Sequence, residues 1–250
     1  MDIPVIFEDN SLLVIDKPSG IVVNRAETNK ERTVQDWRES KFPISLPRRP
    51  ADNFPFPKET EREFVSRSGI VHRLDKDTSG LLVIARTPEA FENLKKQFKG
   101  REVTKKYLAL VHGIVEPSSG TIKAPIERNP FNRKHFGIFP GGREAETAYK
   151  TISNFKFLIS KEVLPLTYLE VSPKTGRTHQ IRVHMKYINH PVVSDPIYGG
   201  RKQIKNDLSF CPRLFLHATY LKIKHPVTGK WLEFNSKLPE DLQKVLEMGL

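Results

Sequence analysis

Short apolar runs bounded by turn residues recur along the chain, and each run of this kind predicts a β-strand. They lie at residues 5–7, 12–15, 21–23, 81–85, 104–112, 148–153, 166–171, 213–223 and 231–234. Helical patterns are fewer, and several strands are joined by hairpin-type turns. The pattern therefore predicts an α+β fold in which helices and loops flank a mixed, largely antiparallel β-sheet, rather than a doubly wound sheet.

Helices are predicted at four places, each with a start signal. A short helix follows Thr33, and a second opens at Thr87 with a proline in its first turn. A third spans 178–187, and a fourth follows Pro239. Between residues 41 and 66 the pattern is broken by prolines, so we expect an insertion or loop there.

The predicted helix 178–187 has two different faces. His179, Arg182 and Lys186 share one face, while apolar residues share another. Taken alone, this pattern fits an amphipathic helix with a solvated basic face. A carboxylate elsewhere that needs a buried cation would favour a functional interpretation.

Composition narrows the class of partner. The chain has 250 residues, which fits a single domain over 1–250, and no apolar stretch approaches membrane-spanning length. Lysine and arginine number 41 against 29 acidic residues, giving a net charge of +12. Such a balance predicts a polyanionic partner, the alternative being a basic surface that is merely solvated.

The single cysteine, Cys211, excludes a disulfide framework and fits a reducing, cytoplasmic location.

The densest group of polar side chains lies at 72–80, directly before an apolar strand. Burying a charge against a packed strand costs several kcal/mol unless the charge is paired, so this cluster indicates chemistry. Asp75 and Asp77 could form a metal-binding pair, but Arg73 and Lys76 would compete with a cation. No metal site is predicted.

Several familiar chemistries lack their motifs. The chain contains no Gly-x-x-x-x-Gly-Lys-Ser/Thr phosphate loop, no Gly-x-Gly-x-x-Gly and no Gly-x-Ser-x-Gly elbow. Its histidines form neither a His-Glu-x-x-His pair nor a zinc set with cysteine. Nucleotide-dependent, serine-hydrolase and zinc-dependent activities are therefore not expected.

Four ordered stretches carry a resemblance to one family. Residues 72–82, His-Arg-Leu-Asp-Lys-Asp-Thr-Ser-Gly-Leu-Leu, resemble the catalytic motif of pseudouridine synthases of the RluA type. Lys-Pro-Ser-Gly at 17–20 and Lys-Lys-Tyr-Leu-Ala at 105–109 resemble its first and tyrosine motifs. Thr-Gly-Arg-Thr-His-Gln-Ile-Arg at 175–182, with Ser-Asp-Pro-Ile-Tyr-Gly at 194–199, resembles its third. The resemblance spans nearly the whole chain.

The resemblance implies an isomerisation of uridine to pseudouridine, which needs no redox cofactor or energy source. Asp75 would be the catalytic carboxylate, either adding to the sugar or forming a glycal. Arg182 would pair with Asp75 and orient it. Tyr107 would stack on the target base and assist the final proton removal.

The resemblance also implies contacts with RNA. Arg73 would fill the gap that the flipped nucleotide leaves in the stack. Four further residues are candidates for phosphate or scaffold contacts, with an ordinary surface charge as the alternative: Lys17, Lys106, Arg177 and His179.

The family implies one sheet around a central basic cleft. Some members add a small N-terminal RNA-binding domain; here the catalytic pattern begins within a dozen residues, so no separate domain is expected. A histidine that the family often has near Asn24 is absent, which bears on substrate choice.

Large-subunit ribosomal RNA is the first expectation for the target, and transfer RNA is the alternative. Neither a membrane nor an obligate protein partner is expected. Two other interpretations remain: a metal-dependent nuclease using Asp75 and Asp77, and a non-catalytic RNA-binding module.

Overall fold

The computed structural model describes residues 1–26, 29–43, 59–133, 135–159 and 162–249. The strands in these ranges are β1 Val5–Glu8, β2 Leu12–Lys17, β3 Ser79–Ala85, β4 Thr104–His112, β5 Ser119–Lys123, β6 Ile126–Arg128, β7 Phe136–Ile138, β8 Glu146–Ile159, β9 Glu162–Pro173, β10 Leu216–Lys224 and β11 Trp231–Asn235. The helices are α1 Val34–Lys41, α2 Glu59–Ser66, α3 Pro88–Lys99, α4 Gln180–Tyr187, α5 Arg201–Asp207 and α6 Glu240–Glu247.

The chain divides into two compact units. The first comprises Met1–Val103 with Lys222–Phe234, and the second comprises Thr104–Leu221 with Asn235–Leu250. The single domain expected over 1–250 stays a prediction.

The first unit is built on an antiparallel ladder of β1, β2 and β3. Along β2 and β3 the register runs from Leu12 opposite Ala85 to Lys17 opposite Gly80. Every residue of β3 is buried, which is why its sequence is a continuous apolar run and not an alternation. The predicted helices after Thr33 and Thr87 are both present, and each threonine accepts a hydrogen bond from a backbone N–H in the first turn.

The second unit contains β4, β9, β8 and β5 in that order, together with β10 up to Leu221, which lies next to β4. The pairs β4–β9, β8–β9 and β5–β8 are antiparallel. Helix α4 packs Ile181 and Met185 into the core of this unit. A separate two-stranded sheet is formed by β6 and β7. The α+β class with a largely antiparallel sheet is therefore confirmed.

Residues 21–23 and the start of α4 differ from the predicted elements. Residues 21–23 do not form a strand, because the carbonyl oxygens of Val22 and Val23 accept from the first N–H groups of α1, Val34 (2.9 Å) and Gln35 (3.0 Å). Helix α4 begins two residues later than predicted, since His179 takes a left-handed conformation (φ 55°).

The expected insertion or loop at 41–66 is described only in part. Its last eight residues form α2, where Phe64 packs edge-on against Phe91 at 5.9 Å, so the loop assignment is wrong for them. That part contains no proline, which removes the reason for expecting a loop. Residues 44–58, with most of the prolines, lie outside the described residues.

Candidate active site

The loop that carries Asp75 is attached to β3 by His72. The backbone N–H of Val83 donates to His72 Nε2 (3.0 Å), and the imidazole stacks on Phe98 with ring centroids 4.6 Å apart. Because Nε2 accepts, a neutral His72 carries its proton on Nδ1. Leu74 is buried beside Asp75, so the chain is anchored on the N-terminal side of the half-buried carboxylate.

Lys17 is a scaffold of this loop. Its side chain has no exposed surface, and Nζ donates to the carbonyl oxygens of Pro18 (2.8 Å), Ile21 (2.9 Å) and Lys76 (3.1 Å). Three acceptors match the three N–H groups of an ammonium. Of the two roles expected for Lys17, these contacts favour scaffold over phosphate contact.

The rest of the first motif holds the same loop. Ser19 Oγ donates to the carbonyl oxygen of Asp77 (2.7 Å), and the backbone N–H of Gly20 donates to that of Lys76 (2.8 Å). Gly20 has a φ of +84°, a left-handed conformation that glycine adopts without strain. The motif at 17–20 thus fixes the backbone on the C-terminal side of Asp75.

Arg73 lies on the surface of the same loop. Its side chain is exposed, as a group that enters an RNA stack must be. Lys76 is also exposed and forms an ion pair with Glu31 (2.8 Å).

Tyr107 and Lys106 point to opposite faces of β4. Tyr107 is half-buried and pairs with Val171 across the antiparallel ladder. Lys106 Nζ lies 3.1 Å from a carboxylate oxygen of Glu170 and 5.7 Å from the ring centroid of Tyr220. Lys106 is therefore committed to an ion pair in this unit, and its expected contact with RNA stays a prediction.

Lys105 shares the Tyr107 face of β4, because side chains alternate along a strand. Burial disfavours its charged form and lowers its pKa to about 8. The unfolded chain, with an ordinary lysine pKa near 10.4, then binds more protons than the folded chain between these two values. Stability should therefore rise with pH in that window.

Replacing this lysine tests the buried charge. We expect Lys105→Met to raise the melting temperature at pH 7, where the parent must keep a charge in a poorly hydrated position. The gain should shrink between pH 8 and about 10.5. Thermal melts across this range measure the effect, and Lys123→Met, at an exposed position on β5, is the matched control. A pH-independent difference between Lys105→Met and the parent would contradict the prediction.

Arg182 forms a buried bidentate ion pair with Asp195. Nε and Nη2 donate to the two carboxylate oxygens, both at 2.8 Å, and the side chains are 2% and 0% exposed. Asp195 Oδ1 also accepts from the N–H groups of Ile197 (2.9 Å) and Tyr198 (3.0 Å). The Tyr198 ring centroid lies 5.2 Å from Arg182 Cζ. The guanidinium is thus fixed in direction before any substrate binds.

Gln180 connects the start of α4 to the loop before it. Its Oε1 accepts from Thr175 Oγ1 (2.7 Å) and the N–H of Arg177 (2.9 Å). Its Nε2 donates to the carbonyl oxygen of Glu146 (3.0 Å) and to Thr147 Oγ1 (2.9 Å). All four hydrogen-bonding positions of the buried amide are occupied.

We expect Gln180→Leu to lower the free energy of unfolding by at least about 2 kcal/mol, because it leaves several buried donors and acceptors without partners at about 1–3 kcal/mol each. Urea denaturation measures the change. Gln243→Leu, on the exposed face of α6, is the matched control and should shift stability by less than about 0.5 kcal/mol. Equal effects at the two positions would contradict the role of the network.

His179 and Arg177 are both engaged within the second unit. His179 Nδ1 lies 2.9 Å from Tyr198 Oη, and its ring packs edge-on against Phe136 at 5.6 Å. Arg177 Nε donates to the carbonyl oxygen of Glu144 (3.1 Å), and its side chain is partly exposed. His179 therefore fits a scaffold role better than a phosphate contact, while Arg177 retains surface for RNA.

Sequence reasoning missed the residues that hold the predicted ones. Asp195 and Tyr198 lie within the Ser-Asp-Pro-Ile-Tyr-Gly stretch and Gln180 within the third motif, but no role was inferred for them.

Asp75 belongs to the first unit, whereas Tyr107 and Arg182 belong to the second, so their meeting stays a prediction.

The family follows from the sequence match. Residues 11–187 match the family model described as RNA pseudouridylate synthase. The chain belongs to this family. The matched range begins before the first motif of the synthase and ends with α4, so it includes Asp75, Tyr107 and Arg182.

Relatives of the synthase align along nearly its whole length. Ribosomal large subunit pseudouridine synthase D from Pseudomonas aeruginosa is 37% identical over 256 residues, covering 99% of this chain and 72% of the relative. An uncharacterized RNA pseudouridine synthase from Bacillus subtilis is 38% identical over 247 residues, covering 99% and 73%. The human protein RNA Pseudouridylate Synthase Domain Containing 1 has a TM-score of 0.71 at 27% identity, covering 95% of this chain and 84% of that one.

These matches confirm what the four motifs implied about family, fold and reaction class. The synthase is an isomerase that acts on RNA, and the nuclease and binding-module interpretations are not favoured. In the part of the chain that the structure describes, no three His, Cys, Asp or Glu side chains are grouped to hold a metal ion. No helix within the described ranges is long and apolar enough to span a bilayer.

Proposed function

We propose that this synthase converts specific uridines of large-subunit ribosomal RNA to pseudouridine. We infer the target RNA from the names of the relatives. The proteins from Pseudomonas aeruginosa and Escherichia coli are both ribosomal large subunit pseudouridine synthases D. The net charge of +12 suits a phosphate-rich partner of this kind. Transfer RNA is the alternative substrate.

We propose Asp75 as the catalytic carboxylate, acting on the sugar beside the glycosidic bond. Support comes from the number of contacts that hold its loop: His72 on one side, and Lys17 and Ser19 on the other. A group placed this firmly needs little reorganisation during the reaction. Either attack on the sugar or removal of a sugar proton uses the same carboxylate.

Arg182 is proposed to orient Asp75, and Tyr107 to stack on the target base. Asp195 takes the Nε–Nη2 edge of Arg182, which fixes the plane of the guanidinium. A planar, oriented cation suits a second carboxylate better than a mobile lysine would. Tyr107 is half-buried on a central strand, so its ring is held in place.

The proposed RNA contacts are Arg73 at the vacated position in the stack and Arg177 at a phosphate. Lys106 remains a further candidate if its ion pair with Glu170 opens. Lys17 and His179 are proposed to act on the RNA only by holding these loops. We also propose that the reaction takes place in the cytoplasm, without an obligate protein partner.

Mapping pseudouridine in cellular RNA tests the target. A strain that lacks the protein should lose pseudouridine at one or a few positions of large-subunit ribosomal RNA, and a plasmid copy of the gene should restore them. A copy carrying Asp75→Asn should not. If pseudouridine is lost from transfer RNA while ribosomal RNA keeps all its pseudouridines, the substrate is transfer RNA and not ribosomal RNA.

A further inference from the structure

A hairpin in the second unit presents an exposed aromatic side chain. It consists of β6 and β7 with the described residues between them, 129–133 and 135, and is called here the Phe131 hairpin. Phe131 is 97% exposed, more than any other large apolar side chain in the described residues. A single exposed apolar side chain is common on protein surfaces, so a function for Phe131 has to be argued from its backbone contacts and from the charges near it.

The side chain of Asn129 holds the backbone next to Phe131. Asn129 Oδ1 accepts from the N–H groups of Phe131 (2.9 Å) and Asn132 (3.1 Å). The N–H of Asn129 donates to the carbonyl oxygen of His135 (2.9 Å), which closes the loop. Part of the conformational entropy that binding would cost is therefore already lost on folding.

Two arginines flank Phe131 in the sequence. Arg128 and Arg133 are both exposed, and Arg128 Nη1 donates to the Arg133 carbonyl oxygen (2.9 Å). The Arg128 guanidinium also lies 5.0 Å from the Phe136 ring centroid, which orients it. A single exposed aromatic residue with arginines nearby in the sequence fits base stacking with phosphate contacts, whereas a protein partner usually needs a contiguous apolar patch.

The base of the hairpin is tied to the residues around Arg182. The N–H of Phe136 donates to Tyr198 Oη (3.0 Å), and the His135 ring packs against Tyr198 at 5.9 Å. The same Tyr198 ring lies beside Arg182. The base of the hairpin and the guanidinium of Arg182 therefore contact the same tyrosine.

We propose that Phe131 stacks on an unpaired base of the RNA substrate, other than the uridine that reacts, while Arg128 and Arg133 contact the adjacent phosphates. The inference rests on the proposed function, because it names a further contact with the same substrate. Single-stranded and loop RNA expose the base faces that such stacking requires.

Substitutions at Phe131 test the stacking. Phe131→Leu keeps an apolar side chain but removes the π-face, and should lower kcat/KM on unmodified large-subunit ribosomal RNA about 5- to 150-fold. Phe131→Trp should stay within about 3-fold of the parent, because tryptophan also stacks. Leu158→Ala, at an exposed position on β8 of the same unit, is the control and should match the parent. All melting temperatures should agree, since both positions are exposed.

A binding experiment distinguishes a failure of this inference from a failure of the proposed target. Affinity for a fluorescein-labelled single-stranded RNA 20-mer of mixed sequence should fall for Phe131→Leu and recover for Phe131→Trp. If the parent fails to modify ribosomal RNA but this pattern holds, the target is wrong and the stacking contact stands. Parental affinity and parental kcat/KM in Phe131→Leu would overturn the inference. A defect in cells without a defect in either purified assay would overturn it as well, in favour of a protein partner.

Discussion

Asp75→Asn is expected to abolish pseudouridine formation while the affinity for RNA stays within a few-fold. The amide keeps the shape of the carboxylate but can act neither as a nucleophile nor as a base. The loop should keep its conformation, because the hydrogen bonds of His72, Lys17 and Ser19 that anchor it are made to groups other than the Asp75 carboxylate. Single-turnover rates and filter binding on the same RNA separate chemistry from binding.

The matched control is Glu31→Gln, which makes the same carboxylate-to-amide change at the partner of Lys76. That ion pair is exposed, so its loss should alter stability by less than about 1 kcal/mol and leave the rate unchanged. If Asp75→Asn still forms pseudouridine at more than about one per cent of the parent rate, Asp75 is not the catalytic group and the proposed mechanism fails.

Arg182→Met is expected to remove most activity and to lower the free energy of unfolding by about 3–5 kcal/mol, the usual effect of leaving a buried charge without its partner. Here the partner left behind is Asp195, whose side chain has no exposed surface. The loss of stability therefore reports the Arg182–Asp195 pair and says nothing about Asp75. Urea denaturation measures it.

A second readout is needed for the proposed effect on Asp75. If Arg182 orients the catalytic carboxylate, the single-turnover rate should fall in Arg182→Lys while the affinity for RNA stays close to that of the parent. Arg182→Lys is the suitable variant because it keeps a cation for Asp195 but loses the bidentate geometry. A parental single-turnover rate, with a lower melting temperature, would show that Arg182 acts only through Asp195.

The sequence predicted elements better than contacts. The strand expected at 104–112 has those limits in the structure, and the apolar run 81–85 lies within β3. Such patterns succeed because periodicity and apolar content report how each side chain is buried. The run 21–23 has the same composition but forms no strand, since its carbonyl oxygens are taken by the start of α1. Composition does not show which donor reaches which acceptor.

The same limit applies to the site. The motifs identified Asp75 and Arg182 as candidates, but the charge pattern could not show that Lys17 is fully buried or that Asp195 holds the guanidinium. A lysine near a phosphate and a lysine among carbonyl oxygens look alike in a sequence. Only the fold, which brings Lys76 to Lys17 across 59 positions, separates the two roles.

The register of β2 and β3 restricts where this chain can change in length. Lys17 lies opposite Gly80, so the first motif and the Asp75 loop leave the ladder at the same end. Deleting one residue within β2 would move that end by about 3.3 Å and turn every following side chain to the other face. At the opposite end, the turn at residues 9–11 is closed by hydrogen bonds to Asp9 Oδ1 and is also tied to distant residues, since the Ser11 carbonyl oxygen accepts from the Arg86 N–H (2.9 Å) and Asp9 Oδ2 lies 2.8 Å from His225 Nε2. Insertions and deletions compatible with activity should therefore be absent from both strands and from this turn.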